Sequence, residues 1–133
     1  MRITPEGLNA AVRRLVATLA PEEVILFGSR ARGDARSDSD ADLLAVLPAV
    51  ADALPPDERQ RRAWFAVRGD LMQPGFEADV FAYTVAEMRY RLAAGDTVVR
   101  DALTEGTLPY PAAGRRSRYA AFAGEWSRVE TVE

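Results

Sequence analysis

The chain has no cysteine, no histidine and no lysine; all 17 basic residues are arginine. Each absence removes a class of chemistry. Without cysteine there is no disulfide framework and no thiol nucleophile, and a reducing, cytoplasmic setting is the expectation. Without histidine, serine–histidine–aspartate triads and histidine-ligated zinc are excluded. Without lysine, so are Schiff-base catalysis and the lysine of a Walker phosphate loop. No apolar run approaches the roughly 20 residues needed to cross a bilayer. The opening MRITPEGLNA lacks a long apolar stretch, so neither a secretory signal nor membrane attachment is expected. If this chain is an enzyme, carboxylates must move protons or hold a hard metal. Arginines and backbone N–H groups must handle anions.

What is present is enough for one domain with a real core: 133 residues, of which 48% are hydrophobic. The formal charge of −3 argues against broad nucleic-acid binding, and none is expected. Thr4-Pro5-Glu6 reads as a helix start, with Leu8, Val12, Leu15 and Leu19 at helical spacing before Pro21. Val24 to Phe27 read as a buried strand, and DADLLAVL as a second, stopped by Pro48. Residues 48–54 read as a loop. Pro55-Pro56 lead a polar helix with Trp64, Val67 and Leu71 as its apolar positions, and QPG at 73–75 is a turn. FEADVFAY alternates as a third strand; Thr84-x-x-Glu87 is a capping box opening a helix with Val85, Met88 and Leu92 on one face. Gly95-Asp96 recaps a last helix, Val98 to Glu105, and TLPY is a candidate edge strand. The expected fold is α/β (α+β): a small mixed sheet of three or four strands with helices packed on it. Residues 1–110 form the domain. Residues 111–133 form an extension whose Tyr119, Phe122 and Trp126 either anchor a partner or belong to a frayed terminus.

The segment GSRARGDARSDSDAD, Gly28 to Asp42, carries the chemistry. Side chains alternate across a strand, so Asp40 and Asp42 share a face with Leu44 and Val46. Like charges set two apart repel, and a divalent cation between them removes the conflict. Oxygen ligands of this kind suit Mg²⁺, which takes substrate phosphates as its remaining ligands. Upstream, Gly28 lets a phosphate approach the backbone. A short helix starting at Ser29 would offer free N–H groups to an anion, and the Ser29 hydroxyl adds a donor. Arg30 and Arg32 can pair with phosphate oxygens, although surface arginines are ordinary. Together these residues describe a site for a metal-bound nucleoside triphosphate. A third carboxylate would complete a two-metal arrangement. The third strand offers Glu77 and Asp79 on one face, and physical reasoning alone does not choose between them.

Gly28-Ser29, ten residues, then Asp40-x-Asp42 resembles the signature of the polymerase-beta-type nucleotidyltransferase superfamily. LFGSRARGDARSDSDADLLAVL is most similar to its minimal nucleotidyltransferases, the MNT-type proteins paired with HEPN-domain partners. The resemblance covers about residues 5 to 110. It places the third acid at Asp79 in FEADVFAY, and VVRDALTEGTLPY is similar to the end of the minimal domain. It implies catalytic and metal-binding roles for Asp40, Asp42 and Asp79 on two Mg²⁺ ions, phosphate contacts at Gly28 and Ser29, and ATP as the donor. It also implies a HEPN-type toxin as partner in a hetero-oligomer, with AMP transferred to a hydroxyl of that toxin and the chain serving as antitoxin. Two alternatives stay open. One is an antitoxin that neutralises by binding without turnover; the other is a small-molecule, aminoglycoside-type nucleotidyltransferase.

Ordinary roles are assigned elsewhere. Asp38 reads as a solvated turn residue and Glu77 as the strand's exposed end. Arg59, Arg61 and Arg62 read as a wet helix face, Trp64 and Phe65 as core, and Tyr110 as packed on the body.

Overall fold

The computed structural model describes residues 5–28, 41–69, 78–112 and 114–127. The expectations made for Ser29, Arg30, Arg32, Asp38, Asp40, Leu71, the turn at 73–75 and Glu77 lie outside these residues. Four strands form one mixed sheet: Glu23–Phe27 (β1), Ala41–Leu47 (β2), Ala78–Thr84 (β3) and Thr107–Tyr110 (β4), in the order β3-β2-β1-β4. β1 is antiparallel to both its neighbours, whereas β2 and β3 are parallel. Central β2 is covered on both faces. This explains why it reads as an unbroken apolar run rather than an alternation, with Leu43 to Leu47 fully buried. β4 is an edge strand, which is why it tolerates Pro109.

Helices cover both faces. On one face, Ala11, Val12 and Leu15 of Pro5–Leu19 (α1) and Ala63, Ala66 and Val67 of Pro56–Arg68 (α2) pack on Val24, Leu43, Ala45, Leu47, Val80 and Ala82. On the other, Met88 and Leu92 of Val85–Ala93 (α3) and Val99, Ala102 and Leu103 of Thr97–Glu105 (α4) pack on Ile25, Phe27, Leu44 and Val46. The caps read from the sequence at Thr84 and Asp96 are present, whereas Thr4 lies outside the described residues. The Thr84 hydroxyl accepts from Glu87 N at 3.3 Å, and Asp96 Oδ1 accepts from Val98 N and Val99 N at 2.7 and 3.1 Å. No helix among the described residues is long and apolar enough to cross a membrane.

Three local expectations are corrected. Residues 49–53 are a short 3₁₀-helix rather than a loop. Trp64 and Phe65 are exposed, not core: the buried stripe of α2 runs through Arg59, Ala63, Ala66 and Val67, and the aromatics fall beside it. The small alanines on that stripe let α2 lie close to the sheet. Arg59 occupies the first position of the stripe and is therefore buried. Its Nε donates to Leu54 O at 3.2 Å and its NH1 to Glu87 Oε1 at 2.6 Å, an ion pair that ties α2 to the first turn of α3. Removing one partner would leave a charge buried without compensation, the costly outcome for such pairs.

Gln60 closes the open side of β3. Its amide donates to Val80 O and its carbonyl accepts from Ala82 N at 3.0 Å. This is the pairing a residue of a neighbouring parallel strand would make opposite Phe81. One side chain thus satisfies the middle of an edge that would otherwise invite another strand.

The described part of the C-terminal extension packs on the body. Ser117 is buried and donates to Glu23 Oε1 at 2.6 Å, Arg118 N donates to Glu23 Oε2 at 3.0 Å, and the Arg118 guanidinium reaches Glu22 Oε1 at 3.3 Å. The Tyr119 hydroxyl donates to Glu22 Oε1. After a 3₁₀ turn at Arg118–Phe122, the short helix Ala123–Ser127 (α5) places Trp126 in the second core cluster, where it stacks with Phe122 at 5.6 Å between ring centroids.

Two outcomes are expected. Trp126→Ala should lower stability by about 3 kcal/mol, as truncation of buried aromatic side chains generally does. Chemical denaturation checks this, and a change near zero would mean that the extension adds nothing to the body. The second concerns pH. Burial first, and then the hydrogen bond to Glu22, push the Tyr119 phenol from 10.0 up to about 12. Only the neutral phenol donates to Glu22. Its contribution is therefore complete below pH 10.0 and lost as pH rises through about 12. Denaturation midpoints across that window should fall less steeply for Tyr119→Phe than for the parent; parallel curves would refute the assignment.

Candidate active site

The site grows from one end of the sheet. β1 finishes there at Phe27, and β2 and β3 both begin there. Asp42 is the second residue of β2 and Asp79 the second of β3, and the parallel register sets them directly opposite each other. Neighbouring strands lie about 4.8 Å apart, so the two Cα atoms are close neighbours. Both side chains rise from the face that carries Leu44, Val46, Phe81 and Tyr83, since alternate residues share a face. Asp42 is half-buried and Asp79 is exposed. Like charges directly opposite across a strand pair are unfavourable unless a counter-charge offsets them.

The third component is the end of β1. Phe27 is the Cα partner of Asp42. Gly28 then turns away with φ 81°, in the left-handed region where a side chain is strained. A Cβ on Gly28 would lie 2.2 Å from Asp42 Oδ2. The glycine backbone and the carboxylate therefore occupy adjoining space that no larger residue could share without displacing the acid. Phe27, beside Asp42 in the register, meets Phe81 at 6.4 Å between ring centroids, and Phe81 meets Tyr83 at 6.1 Å. These rings are apolar neighbours of the acids on the same face of the sheet. The sequence places Phe27, Phe81 and Tyr83 on strands without assigning them to the site, although Phe81 and Tyr83 follow Asp79 at period two.

The structure thus brings together Gly28, Asp42 and Asp79. Asp40, Ser29, Arg30 and Arg32 lie outside the described residues, and among the described residues no group of three potential metal-ligating side chains converges. The donor set present is all-oxygen and anionic, which fits a hard cation such as Mg²⁺ better than a soft metal.

A family model for the nucleotidyltransferase domain matches residues 6–107. The chain belongs to the nucleotidyltransferase domain family. The match runs from α1 to the start of β4 and takes in every strand that bears the site. The crystal structure of a provisionally assigned nucleotidyltransferase from Sulfolobus solfataricus shares the fold. The TM-score is 0.53 at 23% identity, over 77% of this chain and 76% of that one. At that identity the likeness speaks for the fold. Among curated proteins none matches the chain.

The Gly28 contact yields a separation of effects. Gly28→Ala should cost only about 1–2 kcal/mol of stability, the usual penalty for a left-handed alanine. The atom in its way is the mobile end of a side chain, which can rotate aside. The same rotation would take the Asp42 carboxylate out of the site, so transfer should fall by two orders of magnitude or more. Denaturation and a labelled-nucleotide transfer assay on the same preparation check both halves. Full activity in Gly28→Ala would show that the contact does not position Asp42.

Proposed function

We propose that this nucleotidyltransferase is Mg²⁺-dependent, moves AMP from ATP to a hydroxyl of a partner protein, and serves as the antitoxin of a HEPN-type toxin. The observation that carries the reading is the in-register pair Asp42 and Asp79 with the Gly28 backbone against the Asp42 carboxylate. Asp42, Asp79 and, by its place in the motif, Asp40 would hold Mg²⁺. Bound there, the metal would supply the positive charge that a triphosphate needs in a site otherwise rich in carboxylates.

The chain's own groups then have separable roles. By their place in the motif, Gly28 and Ser29 would hold the triphosphate tail through backbone N–H groups and the Ser29 hydroxyl, and Arg30 and Arg32 would pair with its outer oxygens. Asp79, at the exposed side, accepts the proton of the incoming hydroxyl. The hydroxyl oxygen forms a bond to the α-phosphorus while the bond from that phosphorus to the bridging oxygen breaks. Pyrophosphate leaves with the electron pair. This chemistry depends mainly on positioning and charge neutralisation, which suits a chain without histidine, cysteine or lysine.

The test is transfer of label from α-³²P-ATP, with Mg²⁺, to the protein encoded beside this one. Label on that protein is the expected result. Tight binding without label would instead favour neutralisation by occlusion, and label on an added aminoglycoside would favour a small-molecule acceptor. Asp42→Asn should abolish transfer yet leave the denaturation midpoint unchanged or raised, because it removes one of two opposed like charges. Normal transfer by Asp42→Asn would overturn the site.

A further inference from the structure

In-line displacement sets the incoming oxygen and the leaving group on opposite sides of phosphorus. At the functional end of the sheet the strands run β3, β2, β1. Gly28 therefore lies to one side of Asp42 and Asp79 to the other. With the triphosphate tail at the glycine turn, a placement that rests on the reading above, the acceptor has to arrive over the β3 edge.

That edge is grooved. A cavity of about 420 Å³ lies between α2 and α3, bounded by Asp57, Gln60, Phe81, Tyr83, Glu87 and Arg91. Its floor runs along the face that carries Asp79, because Phe81 and Tyr83 follow Asp79 at two-residue steps. Its wall is held in place. The Arg91 guanidinium lies 4.3 Å over the Tyr83 ring and binds Asp96 at 3.3 Å, while Glu87 is paired with Arg59. Asp57 stands exposed at the rim.

We propose that this groove is the acceptor site and that its occupant is an extended polypeptide segment, which delivers a hydroxyl to Asp79. The spacing supports a polypeptide. Phe81 and Tyr83 repeat at about 7 Å, the interval at which an extended chain alongside presents its own alternate side chains. Gln60 already occupies Val80 O and Ala82 N. Main-chain pairing is thus blocked in the middle of the edge, and recognition falls to side chains that meet Phe81 and the Arg91 guanidinium stacked on Tyr83. Arg91 meets a carbonyl or carboxylate of the segment, and Asp57 meets a basic group. The groove therefore sets acceptor choice, while the glycine turn and the acids handle the nucleotide.

Two variants test this: Asp57→Trp, which fills the mouth, and Arg91→Gln, which removes the guanidinium from over Tyr83 and from Asp96. Each is assayed with α-³²P-ATP and Mg²⁺ on the soluble polypeptides of the source cell, with the Kd for ATP and the denaturation midpoint measured in parallel. The expected result is a rise of tenfold or more in KM for the labelled polypeptide in both variants, with the ATP Kd within twofold of the parent. An unchanged polypeptide KM in either folded variant overturns the groove and leaves the transferase reading standing. A weakened ATP Kd with unchanged polypeptide KM would assign the groove to the nucleotide instead. If the unaltered protein binds ATP yet labels no polypeptide, the polypeptide acceptor falls in both this proposal and the one before it.

Discussion

Two aspartates held opposite each other on parallel strands set the terms for the rest of this molecule. A sheet register that pairs Asp42 with Asp79 sets two like charges on neighbouring strands, a local choice that costs energy unless a counter-charge offsets it. The register persists because every other pair in the ladder favours it. Shifting β3 by one residue would turn Val80 and Ala82 out of the first core and bring Asp79 into it. The apolar packing of five further residue pairs along the two strands thus fixes an arrangement that the acids alone would not select. Such a conflict between local preference and global fold is commonly found where function has been placed.

The supporting structure explains why the pair stands where it does. Both acids are at the first turn of the pleat, where the sheet opens to water, and the apolar residues begin immediately behind them. Gly28 is the complementary element. Because it has no Cβ, the end of β1 can come up against the Asp42 carboxylate.

Much of this was readable in the sequence, for a physical reason. The first two strands are short apolar runs ended by Gly28 and Pro48, the caps at Thr84 and Asp96 are local, and the spacing from Gly28-Ser29 to Asp42 is a property of one segment. Asp79 against Glu77 was not decided by physical reasoning. The choice depends on strand register, which is set by contacts distant in sequence. The same limit explains Arg59 and Trp64. Their assignments required knowing which stripe of α2 faces the sheet, and a helix carrying arginines and aromatics around much of its circumference gives no clear answer. The burial of Trp126 was equally hidden, because an isolated tryptophan in a small-residue segment has no periodicity to reveal its partner cluster.

The C-terminal segment and the site act on the same strand. Glu22 and Glu23 at the start of β1 are gripped by Ser117, Arg118 and Tyr119, and Gly28 leaves the other end of β1 against Asp42. β1 is also bonded along both sides, to β2 and to β4. A strand fixed at its start and along both edges has little freedom to slide or twist at its finish. The half-ångström tolerance that a phosphoryl-transfer site demands is easier to meet from such an element than from a free loop. On this view the extension contributes to the site from a distance, by holding still the strand that delivers Gly28. The charged clamp at one end of β1 and the acid pair at the other are then two parts of one mechanical arrangement.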